Sequence, residues 1–334
     1  VLRFVVRRLL QVIPTLLLLS LLVFAWLRSL PGGPAAAFLG DRATPERIAE
    51  YNRIIGLDEP LYVQYGKFMA RVGTGDFGTS TKTSQPVLEE IGRAMPATVE
   101  LAIAALLIAV FLGIPLGYLA AQQRGRPLDV TTIIGTLVGV AVPVFFLGYL
   151  LKAVFAVELG WFPPSGRQSV GIDATNVTGF AVLDGLLTRE WDASWDAILH
   201  LVLPAVALAT IPLAVIVRIT RASVLDVLDS DFVRTANSKG LTPAVIRGRH
   251  VLRNALLPVS TTIGLQVGLL LGGAVLTEKV FNWGGIGTLL AEAITEKDYP
   301  RLQALLLLGA LVYVLVNLLV DLSYAVIDPR VRLS

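Results

Sequence analysis

The apolar positions of this chain gather into six long runs, approximately Leu9 to Leu27, Thr98 to Ala121, Val130 to Val157, Ile198 to Val217, Leu256 to Leu276 and Leu302 to Val326. A helix rises about 1.5 Å per residue and the hydrocarbon core of a bilayer is roughly 30 Å thick, so about 20 mostly apolar residues cross it. Each run meets that length. The pattern predicts an all-α integral membrane protein with six transmembrane helices. Two of the polar connections between them, 31–96 and 218–254, then fall on opposite sides of the membrane.

Charge sets the direction. With the N-terminus in the cytosol, Arg3, Arg7, Arg8, Arg124, Arg126, Arg218, Arg221, Arg234, Lys239, Arg247, Arg249, Arg253, Arg330 and Arg332 all lie inside. The outside connection from Glu158 to Asp196 holds Glu158, Asp173, Asp184, Glu190, Asp192 and Asp196 against Arg167 and Arg189. This is the positive-inside arrangement, and it makes both termini cytosolic. The basic residues of 31–96 do not oppose it, because long loops translocate largely regardless of charge. A cleaved signal peptide is the competing reading of the first run, since Arg7 and Arg8 precede it and Ala35, Ala36 and Ala37 resemble a cleavage site. The run, however, exceeds the roughly 7–15 apolar residues of such a segment.

Composition agrees with a membrane protein: 54% of residues are apolar and 16% charged, and the mean hydropathy is +0.71. A soluble chain of that make-up would expose large apolar surface. The absence of cysteine and the presence of only two histidines weigh against disulfides, cysteine nucleophiles and metal cages.

The 218–254 connection is far longer than two antiparallel helices need. A helix is expected from about Ala222 to Lys239, with Leu225, Leu228, Phe232 and Ala236 on one apolar face. Gly240 suits the left-handed residue that ends it, Thr242 the next N-cap and Pro243 the first helical position of a second helix reaching about Asn254. Asp226, Asp229, Asp231, Arg234, Lys239, Arg247, Arg249 and Arg253 would cover its exposed faces. Such an element suits docking on a protein; the plainer alternative is a solvated connector at the membrane surface. Insertion into a DNA groove is disfavoured by the spans on either side.

The run Asp231-Phe-Val-Arg-Thr-Ala-Asn-Ser-Lys-Gly240-Leu, followed by His250-Val-Leu-Arg-Asn-Ala-Leu-Leu-Pro258, resembles the EAA loop of ABC importer permeases, in particular the dipeptide/oligopeptide/nickel group of first-permease type. The resemblance extends over the chain. It takes in Arg7-Arg8-Leu9, Ile13-Pro14 and Pro31-Gly32-Gly33-Pro34, then Gly56-Leu57-Asp58-Glu59-Pro60, Gln64-Tyr65 and Gly75-Asp76-Phe77-Gly78. Near the end it includes Thr277-Glu278, Trp283-Gly284-Gly285-Ile286-Gly287, Asn317-Leu-Leu-Val-Asp321 and Asp328-Pro329-Arg330. Two departures stand out: Gly33 occupies a position that is usually acidic in the family, and Arg234, in place of the leading Glu, precedes Thr235-Ala236.

The resemblance implies a type I ABC importer permease fold forming half of a peptide pathway in the bacterial plasma (inner) membrane. It implies a second homologous permease as heterodimer partner, two cytosolic ATP-binding subunits carrying ATP and Mg, and an extracytoplasmic solute-binding protein, with the bilayer as solvent and no nucleic acid. It also implies that the loop's first helix sits in a groove of an ATPase subunit, with Ala236 and Gly240 permitting close backbone contact and Asp231, Arg234, Thr235 and Lys239 in the loop segment that meets it. Nickel, glutathione and other small solutes are carried by related machinery. The outside loop from Thr44 to Ser80, with a helix after Thr44-Pro45-Glu46, would cap the entrance and offer a platform for the binding protein.

Within the spans, Gly264, Gly268 and Gly272 recur every four residues on one face, suited to helix packing or to lining the pathway. Gly113, Pro115 and Gly117 predict a bend in the second span. Ionisable residues near or within spans are Glu100, Lys152, His200 and Asp321; Asp321 is expected to pair with Arg218 or an N-terminal arginine. No catalytic residue is expected, and no Gly-x-x-x-x-Gly-Lys-Ser/Thr phosphate loop occurs. An ion-driven secondary transporter would show midplane carboxylates and internal repeats, and an intramembrane protease a pair of midplane Asp residues or a Ser–His arrangement. Neither pattern is evident.

Overall fold

A computed structural model describes residues 2–29, 35, 39, 44–54, 57 and 59–327, with the side chains of 2–9, 27, 51, 54, 271, 273 and 321–327 excepted. The motif residues Pro31 to Pro34, Gly56, Asp58 and Asp328 to Arg330 therefore lie outside the described residues. Among the described residues the chain is helical, with one isolated antiparallel bridge between Thr79 and Pro86.

The helices are α1 (Leu2–Ser29), α2 (Pro45–Ile54), α3 (Leu61–Gly73), α4 (Val87–Gln122), α5 (Pro127–Ala141), α6 (Val144–Leu151), α7 (Ala181–Thr188), α8 (Trp191–Leu228), α9 (Asp231–Ser238), α10 (Pro243–Val245), α11 (Arg253–Phe281), α12 (Ile286–Thr295) and α13 (Tyr299–Ile327). Lys152–Glu158 continues α6 as a π-helix, and Ile246–Leu252 joins α10 to α11 in the same way. Among the described residues three helices can cross a membrane by length and composition, or five if each bent pair counts as one span; Leu10–Trp26 of α1 is a shorter apolar stretch.

The Val130 to Val157 run is not one straight helix. It breaks at Val142–Pro143, and the halves meet at 102°. Pro143 lacks the N–H that would continue the ladder, and its ring drives Val142 into the extended conformation seen there (φ −81°, ψ 124°).

The chain forms two compact units. The first comprises residues 1–98 and 284–315. Val87, Ile91, Ala293, Leu302, Ala304 and Leu305 form one part of its core, and Val23, Phe24, Phe68 and Leu307 another. The helix expected after Thr44 is α2, and Thr44 Oγ1 accepts the Arg47 N–H at 3.4 Å. Helix α3 is held to α1 by Tyr65 Oη, 2.8 Å from Ser20 Oγ, and by Gln64 Oε1, which accepts from Arg28 Nη2 at 2.6 Å.

Arg301, at the start of α13, is 2% exposed. It donates from Nε and Nη2 to Glu90 (2.9 and 3.1 Å) and from Nη2 to Ser80 Oγ (3.2 Å). Ser80 Oγ in turn donates to Asp298 at 2.5 Å. A buried cation persists only with such partners.

The second unit comprises residues 99–283 and 316–334. Helix α8 packs against α5, α6, α7 and α11. Leu203, Ala207, Val280 and Phe281 form a core cluster at these contacts. Helix α4 runs uninterrupted through Pro115. Its glycines serve close approach: a Cβ on Gly113 would stand 2.8 Å from Ile216 Cγ2, and one on Gly117 would stand 2.6 Å from the Val217 carbonyl oxygen and 2.7 Å from Thr220 Cβ.

Gly117→Leu is expected to lower stability by about 1–3 kcal/mol, the usual cost of overpacking. Thermal unfolding in detergent should show the lower midpoint. Gly92→Ala, where an added Cβ meets nothing within 4 Å, should leave the midpoint unchanged or raised.

Candidate functional site

Helix α8 extends to Leu228, past the expected start of the loop. The chain turns at Asp229 and Ser230, and Ser230 begins α9 from an extended conformation, its carbonyl accepting the Val233 and Arg234 N–H groups. The expected helix from Ala222 to Lys239 is thus two helices, and the break rotates the buried face. Val233 and Ala236 point inward, joined by Val224, Ile246, Val251, Ala255 and Ala121. Phe232, expected on that inner face, is 45% exposed.

The end of α9 follows the expected chemistry. Gly240 has φ +68°, its N–H donates to Asn237 O at 2.9 Å and the Leu241 N–H reaches back to Ala236 O at 3.3 Å. Thr242 occupies the N-cap position in extended conformation and Pro243 follows at the first helical position, but the Thr242 hydroxyl makes no capping hydrogen bond.

Asp231 (98% of its side chain exposed) and Arg234 (73%) form a 3.6 Å pair that is open to solvent. Thr235, Lys239 and Gly240 are also exposed. Ala236 is 4% exposed, its methyl in the chain's own core, on the apolar side where its spacing put it. The outcome is a short helix pinned from beneath by Val233 and Ala236, presenting acidic, basic and aromatic groups on its other side.

A buried carboxylate braces this end of α8. Asp129, at the start of α5, accepts from Arg221 Nε (2.5 Å) and Nη2 (2.8 Å) and from the Gly125 N–H (2.9 Å). The sequence reading missed this pair because the two residues are 92 positions apart.

A second buried carboxylate holds α7, the short helix that precedes α8. Glu100, on α4, accepts from Arg167 Nη2 at 2.7 Å and from the Val182 and Ala181 N–H groups at 2.9 and 3.3 Å. It therefore holds the positive end of α7. Asp184 accepts from the Thr178 hydroxyl and N–H and from the Gly179 N–H. Burial pushes the Asp184 carboxyl upward, yet these donors outweigh it and leave it below its usual range. His200 is buried, with Nδ1 2.8 Å from Asp196 O.

Of the remaining expected residues, Lys152 Nζ donates to Val280 O at 3.3 Å. Gly264 and Gly268 are buried while Gly272 is exposed, with nothing within 4 Å of an added Cβ. Arg218 is exposed, and the side chain of Asp321 lies outside the described residues.

Two family models match the chain. One, described as binding-protein-dependent transport system inner membrane component, covers residues 113–333, and its N-terminal companion covers residues 1–102. The chain belongs to this permease family. The permease is 46% identical over 335 residues to the dipeptide transport system permease protein DppB of Escherichia coli (strain K12), covering 99% of each chain. It is 44% identical over 331 residues to the protein of that name from Alkalihalophilus pseudofirmus, again covering 99% of each. The glutathione transport system permease protein GsiC of Salmonella paratyphi A is 40% identical over 331 residues, with 99% of each chain covered. The permease shares its fold with the inward-facing MetNI methionine ABC transporter (TM-score 0.54, 16% identity, 74% of this chain and 100% of that one). It likewise shares it with an amino acid ABC transporter crystallised with histidines (TM-score 0.51, 14% identity, 71% and 94%).

Because Asp184 titrates below its ordinary value, its contribution to stability is full above about pH 4 and is lost as pH falls through the depressed value. Hydrogen exchange of the 175–184 amides should accelerate over that acid range. In Asp184→Asn they should exchange faster at neutral pH and show little further change.

Proposed function

We propose that this permease forms half of the translocation pathway of an ATP-binding-cassette importer for peptides, in the bacterial plasma membrane. It spans the bilayer six times with both termini in the cytosol, so that residues 31–96 lie outside and 218–254 inside. The run of basic residues on one side supports that direction. It works as a heterodimer with a second homologous permease, receives solute from an extracytoplasmic binding protein and is driven by two cytosolic ATPase subunits that bind ATP and Mg. The chain has no phosphate loop, is not itself a catalyst and binds no cofactor.

The observation that carries this reading is the pinned α9 turn. Its inner residues Val233 and Ala236 tie it to α4 and to the start of α11, while Asp231, Phe232, Arg234, Thr235, Lys239 and Gly240 are open to a partner. A push on the outer side of α9 is thus delivered to the helices through close-packed side chains, which deform little.

Peptide cargo is supported by the names of the relatives at 44–46% identity. Glutathione, also a peptide, is the second reading, favoured by the relative at 40%. Mass spectrometry of ligand co-purifying with the cognate binding protein separates the two, and a nickel ion or an unrelated solute there would refute both.

Gly240→Val places a β-branched residue at positive φ, a strain of about 1–2 kcal/mol. The reconstituted complex should assemble poorly or lose ligand-stimulated ATP hydrolysis. Phe232→Asp should weaken ATPase co-purification without lowering the permease's own unfolding midpoint, whereas Ala236→Leu should lower that midpoint. Normal coupling in both Gly240→Val and Phe232→Asp would refute the loop assignment.

A further inference from the structure

One surface of the second unit is built inside out. On α7, Ala181, Asp184 and Gly185 are buried, whereas Leu183, Leu186 and Leu187 are exposed. Two residues later α8 opens with Trp191, Trp195 and Ile198 at helical spacing; the two indoles are 63% and 62% exposed. A helix on a water-facing surface turns its apolar stripe inward. Here the polar and small residues face in and the leucines face out.

The arrangement is held rigidly. The Glu100 carboxylate fixes the first N–H groups of α7, and the Ser194 hydroxyl donates to Val182 O at 3.0 Å. Gly185 lets α7 close on α8: a Cβ there would stand 2.5 Å from Ser194 Oγ. The chain thus uses buried polar bonds to keep this apolar face outward.

The chemistry of the face selects its partner. An indole joins a large apolar body to a single N–H, which suits the boundary between hydrocarbon and headgroups. Trp191 and Trp195 stand in the first two turns of a 38-residue helix apolar enough to cross a membrane, so the exposed stripe is continuous with a membrane-spanning surface. Arg189, Glu190 and Asp192 supply polar groups at the same helix end.

We propose that α7 and the first two turns of α8 form a phospholipid anchor in the outer leaflet, with the indoles at glycerol level and the leucines among the upper acyl chains. Glu100 sits on α4 and Ser194 on α8, so the anchor fixes the depth of both helices. This proposal rests on the membrane orientation given above.

Fluorescence of the assembled complex in proteoliposomes tests it, with brominated phosphatidylcholine exchanged into one leaflet and orientation scored by protease access to 218–254. Bromine in the leaflet opposite that loop should quench emission, more strongly when placed near the glycerol end of the acyl chain than near its methyl end. W191F/W195F, which keeps the apolar bulk, should lose most of the quenched fraction. Equal quenching in parent and double variant would overturn the anchor and indicate that a protein partner covers the face. Quenching of these two indoles from the loop's own leaflet would overturn the orientation instead.

Discussion

Helix α8 can serve as the spine of the second unit because α4 presses against it at two glycines, Gly113 on the Ile216 and Leu213 side chains and Gly117 on the Val217 carbonyl itself. Without a hydrophobic drive between helices in lipid, association depends on close packing of small residues and on polar bonds. Both are present. The two glycines bring α4 onto α8, and small buried residues of α8 such as Ala205, Ala207, Ala209 and Ala214 recur along it.

The same device, a buried carboxylate shared between a guanidinium and backbone N–H groups, occurs twice in this unit. Asp129 takes Arg221 of α8 and the Gly125 N–H; Glu100 takes Arg167 and the first N–H groups of α7, which Ser194 ties to α8. Removing one partner from such a site leaves the other charge buried, so each clamp acts as a unit. Arg301 follows the same rule in the first unit with Glu90, Asp298 and Ser80.

The division of labour on α9 follows from its shortness. An isolated eight-residue helix is marginal in water, so Val233 and Ala236 must be spent on anchoring it, and only the remaining side can meet a partner. Sequence motifs mark both sets alike, since both belong to one contiguous run.

The sequence by itself determined that the chain is helical and membrane-embedded, where six apolar runs lie, that Gly240 takes the left-handed conformation and that Pro243 opens a helix. These depend on residue type and local spacing, which a single sequence carries in full. It did not determine that Phe232 faces out while Val233 turns in beside Ala236, because a two-residue break at Asp229 and Ser230 resets the helical phase. Nor did it identify the partners of Glu100, Asp129 or Arg301, or separate Gly113 and Gly117, pressed against α8, from Gly272, where an added Cβ meets nothing within 4 Å. Those outcomes belong to contacts between residues far apart in the chain. The tertiary structure alone decided them, because a buried charge or a glycine gains its meaning from the neighbour that packing brings to it.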